Sequence, residues 1–197
     1  GKKFYFASGS GFFIGVNNFA DYGITWDESS TRFHGLVSLK YITDHFPEIY
    51  DFTSWDLPEN PKLHKYDYKA YGVSFELFLT FFEKVNSLKT SREIFLLRHF
   101  LNYCLYFFGL IAFYKLLMLR FNSNKLALIG LLILFLSPRI FADAFYNMKD
   151  IAFMSSLIIA TFFMFKFFKN PTKVSAILAA FFTAFCIDIR IMGILIP

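Results

Sequence analysis

Side chains that could act on a substrate fall in two places along this chain. The first is Tyr22-Gly-Ile-Thr-Trp-Asp27-Glu28, where two adjacent carboxylates follow an apolar run. The second runs from Ser137 to Asp150 and carries Asp143, Asn147 and Asp150 beside Arg139 and Lys149. A carboxylate held against a hydroxyl can take its proton as that weak nucleophile attacks. A neighbouring Arg or Lys neutralises the charge that develops on a phosphate leaving group. Arg139, Lys149 and Arg190 are the candidates for that contact. Asp143, Asn147 and Asp150 stand at i, i+4 and i+7, so a helical segment would present them on one side. These residue types suit sugar transfer from a lipid phosphate, phospholipid hydrolysis and ion transport alike. Composition alone does not separate the three.

The elements that must position these groups are greasy. Hydrophobic types make up 56% of the 197 residues and charged types only 18%, below the roughly 25% of soluble domains. Thirty phenylalanines exclude a disordered chain. Five stretches are almost free of charge, and with flanking residues they predict spans at about 4–20, 94–119, 126–142, 151–168 and 174–194. Each uncharged core is shorter than the roughly 20 residues that cross a bilayer. Snorkelling by Arg98, Lys115 and Lys166 extends them. The expected fold class is therefore all-α, a polytopic helical membrane protein forming a single membrane domain over 1–197. Its outer loops are 21–93 and 137–150.

Charge follows the same plan. Segments 1–3, 115–125 and 166–173 hold eight basic residues and no acid, whereas 21–93 holds 12 acids and 8 bases, a net charge of −4. The positive-inside rule then places the N-terminus in the cytoplasm and both outer loops on the periplasmic, extracellular or lumenal side. The overall charge of +5 reflects this topology and not a nucleic-acid footprint, because the basic residues are scattered through short turns. A cleaved leader is the alternative for the first run, with Lys2 and Lys3 as its charged region; small residues between Ala7 and Gly11 favour a retained anchor. Cys104 and Cys186 lie in apolar runs and read as small buried hydrophobes. His34, His45, His64 and His99 show no ligand spacing.

Within the long outer loop, Ser29 to Thr43 predicts a helix that Gly35 weakens, and His45 to Pro61 is broken by three prolines. Tyr71 to Val85 is apolar and flanked by lysines, which predicts a helix lying in the membrane interface. Arg98, Asp188 and Arg190 are ionisable groups at membrane depth, where charge is costly and faces a cavity or a partner. Asp188 and Arg190 are expected to neutralise one another.

The order of these features resembles the GT-C glycosyltransferases that use polyprenyl-phosphate sugars. It is most similar to the protein O-mannosyltransferase and aminoarabinose-transferase branch, family thirty-nine of the glycosyltransferases. Four matches carry the resemblance. They are Trp26-Asp27-Glu28 after the first span, Leu97 to Asn102 opening the second with Arg98, Ser137-Pro138-Arg139 through Tyr146 to Asp150 in the second outer loop, and Arg190 to Gly193 in a later span. It implies an inverting transferase whose N-terminal catalytic half this chain would be, with interfacial helices in the large outer loop. Asp27 would be the general base with Glu28 beside it, and Asp143 and Asp150 would be second-loop acids. Arg139, Lys149 and Arg190 would hold the donor phosphate, with Arg98, Asn102 and Asn147 structural or facing the substrate. The partners would be a polyprenyl-phosphate-linked sugar, membrane lipid, and a protein, lipid or glycan acceptor. Some relatives of this kind use a divalent metal, but the chain lacks an Asp-x-Asp in its second outer loop, so a metal is left open. A transporter or flippase-like protein and a non-catalytic assembly subunit are the rival readings.

Overall fold

The computed structural model describes residues 11–46 and 62–195. The beginning of the first expected span and most of the proline-broken segment lie outside these residues. The described residues contain helices and no strand. Helix α1 covers 11–18, α2 Glu28–His45, α3 Ser74–Val85 and α4 Ser91–Phe121. These are followed by α5 Asn124–Phe135, α6 Pro138–Tyr146, α7 Asp150–Lys169 and α8 Lys173–Ile189. Short 3-10 turns occupy Leu63–Lys65 and Ile191–Leu195.

Local chemistry sets several boundaries. α4 starts at a capping box in which Thr90 Oγ1 accepts from the Glu93 amide and the Glu93 carboxylate accepts from the Thr90 amide. It ends at Asn122, whose left-handed backbone (φ 48°) stops the helix. A second box, Thr172 with Ser175, starts α8 after a turn of a few residues. α4 and α7 are long and apolar enough to cross a membrane. At 1.5 Å per residue the 31 residues of α4 reach about 46 Å, more than the roughly 30 Å hydrocarbon layer.

The third expected span, 126–142, is not one helix. α5 and α6 meet at 64°, and together they count as one further crossing only as a bent pair. Pro138 explains the break: it has no amide hydrogen, and it holds Ser137 in an extended conformation (φ −63°, ψ 113°). α6 fills much of the stretch expected as the second outer loop. The one-sided alignment of Asp143, Asn147 and Asp150 also fails, because α6 ends at Tyr146 and α7 begins anew at Asp150. The last expected span, 174–194, is cut short where Arg190 turns extended (φ −148°, ψ 130°).

The bundle has a defined polarity. Lys115 lies over the Phe162 ring and Gly109 packs on Ser155, so α4 and α7 run parallel. Phe163 stacks on Phe182 and Cys186 Sγ reaches the Phe153 carbonyl, so α8 returns antiparallel. Lys115, Arg120, Lys166, Lys169 and Lys173 therefore collect towards one end, and Asp150 and Arg190 lie at the other. The core between α4 and α6 is aromatic, with Tyr103 stacked 5.0 Å from Phe145. Large apolar side chains stay exposed on the outside of α5 and α8, among them Ile133, Ile129, Ile177 and Phe181.

α2 and α3 pack together outside these long helices. Gly35, expected only to weaken α2, is the point of contact: a Cβ there would lie 2.4 Å from Thr80 Oγ1 and 2.8 Å from the Glu76 carbonyl oxygen. α3 turns its carboxylates inward. Glu76 pairs with Arg98 of α4, and Glu83 takes a two-pronged bond from Arg32 of α2 at 2.6 and 2.9 Å. Phe78, Phe81 and Val85 face outward on the same helix.

Candidate functional site

Two groups of polar residues lie at the end of the bundle away from the basic turns. The first surrounds an open cleft of about 840 Å³ where the start of α3 meets the end of α8. Lys69, Lys149 and Arg190 line it, with Tyr71, Gly72 and Asp188. The Lys149 ammonium sits 4.6 Å from the centre of the Tyr71 ring. Arg190 pairs with Asp150. Asn147 holds Asp150 from both sides, donating from Nδ2 to its carboxylate (3.1 Å) and accepting from its amide (2.9 Å). Asp188 accepts from the Ser74 amide (2.7 Å) and hydroxyl (2.5 Å). Gly72 is required at this junction, because a Cβ would fall 1.4 Å from the Asp188 carbonyl oxygen. The expected pairing of Asp188 with Arg190 is thus replaced. Each has a partner on another element, because the chain turns between them and sends the two side chains apart.

Beside the cleft, the His34 ring lies 5.3 to 5.8 Å from the rings of Tyr66, Tyr68 and Tyr71. Burial among them, with the charge of Lys149 nearby, holds His34 below the ordinary histidine value. Burial also raises Tyr66, helped by Tyr68 and Asp67.

The second group starts from the loop before α2. Thr25 Oγ1 lies 2.9 Å from Asp27 Oδ1 and 2.8 Å from Glu28 Oε1. The Thr25 amide donates to Glu28 Oε1 at 2.6 Å. Glu28 Oε2 meets His99 Nε2 of α4 at 2.9 Å. Glu28 is 2% exposed and His99 1%, while Asp27 remains partly open. The Tyr22 ring anchors this loop, stacking 4.4 Å from Phe145.

The sequence-derived candidates separate accordingly. Lys149, Asp150, Arg190 and Asn147 come together at the cleft or on its edge. Arg139 does not join them: its side chain is 92% exposed and lies 3.7 Å from Asp143, one turn along α6. Neither Arg139 nor Asp143 lines the cleft. Asp27 does not line the cleft either; it precedes His34 by seven residues, roughly 10 Å along the helix axis. Glu28 is buried, with partners on both carboxylate oxygens. Arg98 does not snorkel: it is fully buried, and its Nε and Nη1 have no hydrogen-bond partner among the described residues. Asn102 donates to the Ala144 carbonyl at 3.0 Å.

Sequence reasoning missed Thr25, Lys69, Tyr71, Ser74 and His99. Thr25 and Glu28 do form the Thr-x-x-Glu spacing of a capping box, which is a readable signal for that bond. Among the described residues no group of three His, Cys, Asp or Glu side chains could hold a metal ion. Compared with known protein families, curated proteins and solved structures, the chain matches none.

Proposed function

We propose that the protein is a multi-pass membrane glycosyltransferase that moves a sugar from a polyprenyl-phosphate donor to a hydroxyl acceptor on a protein, lipid or glycan. The cleft that joins Lys69, Lys149 and Arg190 at the acidic end of an apolar bundle is the observation that carries this reading. A lipid phosphate has a long apolar tail and an anionic head. The exposed apolar faces of α5 and α8 suit the tail, and the three cations suit the head. On this reading Asp27, partly open and hydrogen-bonded to Thr25, is the base, and the acceptor reaches it from outside the cleft that holds the phosphate. Inversion follows if the acceptor oxygen attacks the anomeric carbon from the face opposite the departing phosphate.

On this reading α1, α4, the α5–α6 pair, α7 and α8 make five crossings. The N-terminus lies in the cytoplasm and the cleft on the opposite side. α3 rests in the interface with Phe78, Phe81 and Val85 towards lipid. A second reading, a transporter, is favoured by one observation, the buried Arg98 with two nitrogens unpaired among the described residues.

The test is sugar transfer in reconstituted membranes from a panel of polyprenyl-phosphate sugars, native protein against Asp27→Asn. The variant is expected to lose roughly 100-fold or more in kcat, the usual contribution of a general base. Equal rates would remove Asp27 from the chemistry. Substrate flux across vesicles without any transfer would favour the transporter.

A further inference from the structure

Lys149 precedes α7 and Arg190 follows α8, yet both line the same cleft. Like charges brought to one wall repel, and long exposed side chains gain entropy by swinging apart into water. Each must therefore be held. The Tyr71 ring holds Lys149, with the ammonium 4.6 Å from its centre. Asp150, the next residue after Lys149, holds Arg190. Asp150 is itself fixed. One carboxylate oxygen accepts from Asn147 Nδ2 at 3.1 Å, the other accepts from Arg190 Nη2, and its amide donates to Asn147 Oδ1 at 2.9 Å. It also begins α7, so its backbone cannot drift. Asp150 does not line the cleft, although its neighbour Lys149 and its partner Arg190 do. The guanidinium is far less occupied. Nη2 donates to Asp150, and Arg190 makes no other side-chain hydrogen bond among the described residues. Its remaining donors are open to an anion.

We infer that Asp150 and Asn147 are positioning residues: Asp150 holds the Arg190 guanidinium beside Lys149 so that both cations meet one lipid-borne phosphate, and Asn147 holds Asp150. The inference rests on the reading of the cleft as the donor-phosphate site. It takes Asp150 out of the chemistry, where the family resemblance would put it as a second-loop acid, and makes it the anchor of a phosphate contact. A carboxylate that merely stood in for the absent anion would act in the opposite sense. Its removal would free Arg190 and tighten anion binding. Two observations favour the anchor: Asp150 stands outside the cleft lining, and it engages only one of the guanidinium nitrogens.

The test is equilibrium binding of farnesyl phosphate to the full chain in one detergent, with farnesol as the uncharged control. Asp150→Asn keeps the size of the side chain and removes its charge. It is expected to weaken farnesyl phosphate roughly 3- to 5-fold, the scale of one exposed ion pair. Asn147→Ser, whose hydroxyl can still accept the Asp150 amide, is expected to weaken it roughly 2-fold. In an Arg190→Ala background neither change should weaken binding further, because both act through Arg190. Where Asp150→Asn does not fold, Asn147→Ser carries the same comparison. In the transfer assay the loss is expected in KM for the donor, not in kcat. Tighter or unchanged binding by Asp150→Asn overturns the inference, as does equal weakening with and without Arg190. A collapse of kcat at native KM also overturns it, by making Asp150 a reacting group. Native protein that binds farnesyl phosphate no better than farnesol removes the phosphate site and the inference with it. Phosphate-dependent binding without any sugar transfer overturns the transferase reading alone and leaves the Arg190 comparison to decide the anchor.

Discussion

Glu76→Gln removes the carboxylate that faces Arg98 and nothing of its size. Arg98 is completely buried, the Glu76 side chain is 10% exposed, and the guanidinium already has Nε and Nη1 unpaired among the described residues. Neutralising Glu76, the anion that faces it, strands a full charge in the interior, which costs about 3–5 kcal/mol. Arg98→Met is milder, about 1–3 kcal/mol, because Glu76 stands nearer the surface and can take up a proton or reach water. The combined Glu76→Leu, Arg98→Met chain removes both charges and both orphan nitrogens, and it is expected to stay within about 1 kcal/mol of native. For a chain of 197 residues the first change corresponds to a melting point lowered by about 6–20 °C. The assay is thermal unfolding by circular dichroism in one detergent at one protein concentration, for native, two single and one double variant. A Glu76→Gln melting point within about 2 °C of native, or a double variant less stable than either single, would refute this placement of the pair.

Other perturbations act on different contacts. Gly35→Ala pushes a Cβ against the Thr80 hydroxyl and the Glu76 carbonyl, and it is expected to cost about 1–3 kcal/mol, read as a lower melting point. His34 in the folded chain resists protonation, so below about pH 6.5 the unfolded chain binds a proton that the folded one refuses. Stability should therefore fall as pH drops through that value towards the lower folded one, and His34→Phe should flatten the loss between pH 7.5 and 5. On the transferase reading proposed above, Lys149→Ala and Arg190→Ala should each raise KM for the lipid-phosphate donor by roughly 10-fold in steady-state transfer at fixed acceptor, because each removes one charge from the cleft.

Helix existence was legible where period, caps and length agreed. The expected 29–43, 94–119 and 151–168 correspond to α2, α4 and α7 within a few residues. The break at Ser137-Pro138 carried a written signal, because proline disfavours helix in the residue before it, yet the apolar run continued through it and dominated the reading. Partners were not legible. Asp188 and Arg190 are neighbours in sequence and look like a pair, but their partners, Ser74 and Asp150, lie 114 and 40 residues away. The convergence of Lys149 with Arg190 followed from residue type, whereas Lys69 sat among loop lysines with nothing to distinguish it. His99 is a lone histidine in an apolar helix. Only its place beside Arg98 and one turn before Asn102 hints at a buried polar face.

Sealed vesicles test the central claim most directly, because the two ends of the bundle must then open to different compartments. With Cys104 and Cys186 replaced by alanine, single cysteines are introduced as Trp26→Cys, Lys69→Cys, Lys125→Cys and Lys169→Cys, all exposed positions. An impermeant maleimide added from one side should label positions 26 and 69 together and positions 125 and 169 only after the vesicles are opened, or the reverse. Labelling that places 26 and 69 on opposite sides, or reaches all four from one side, would contradict a membrane-spanning bundle with its acidic loop and cationic cleft at a common end.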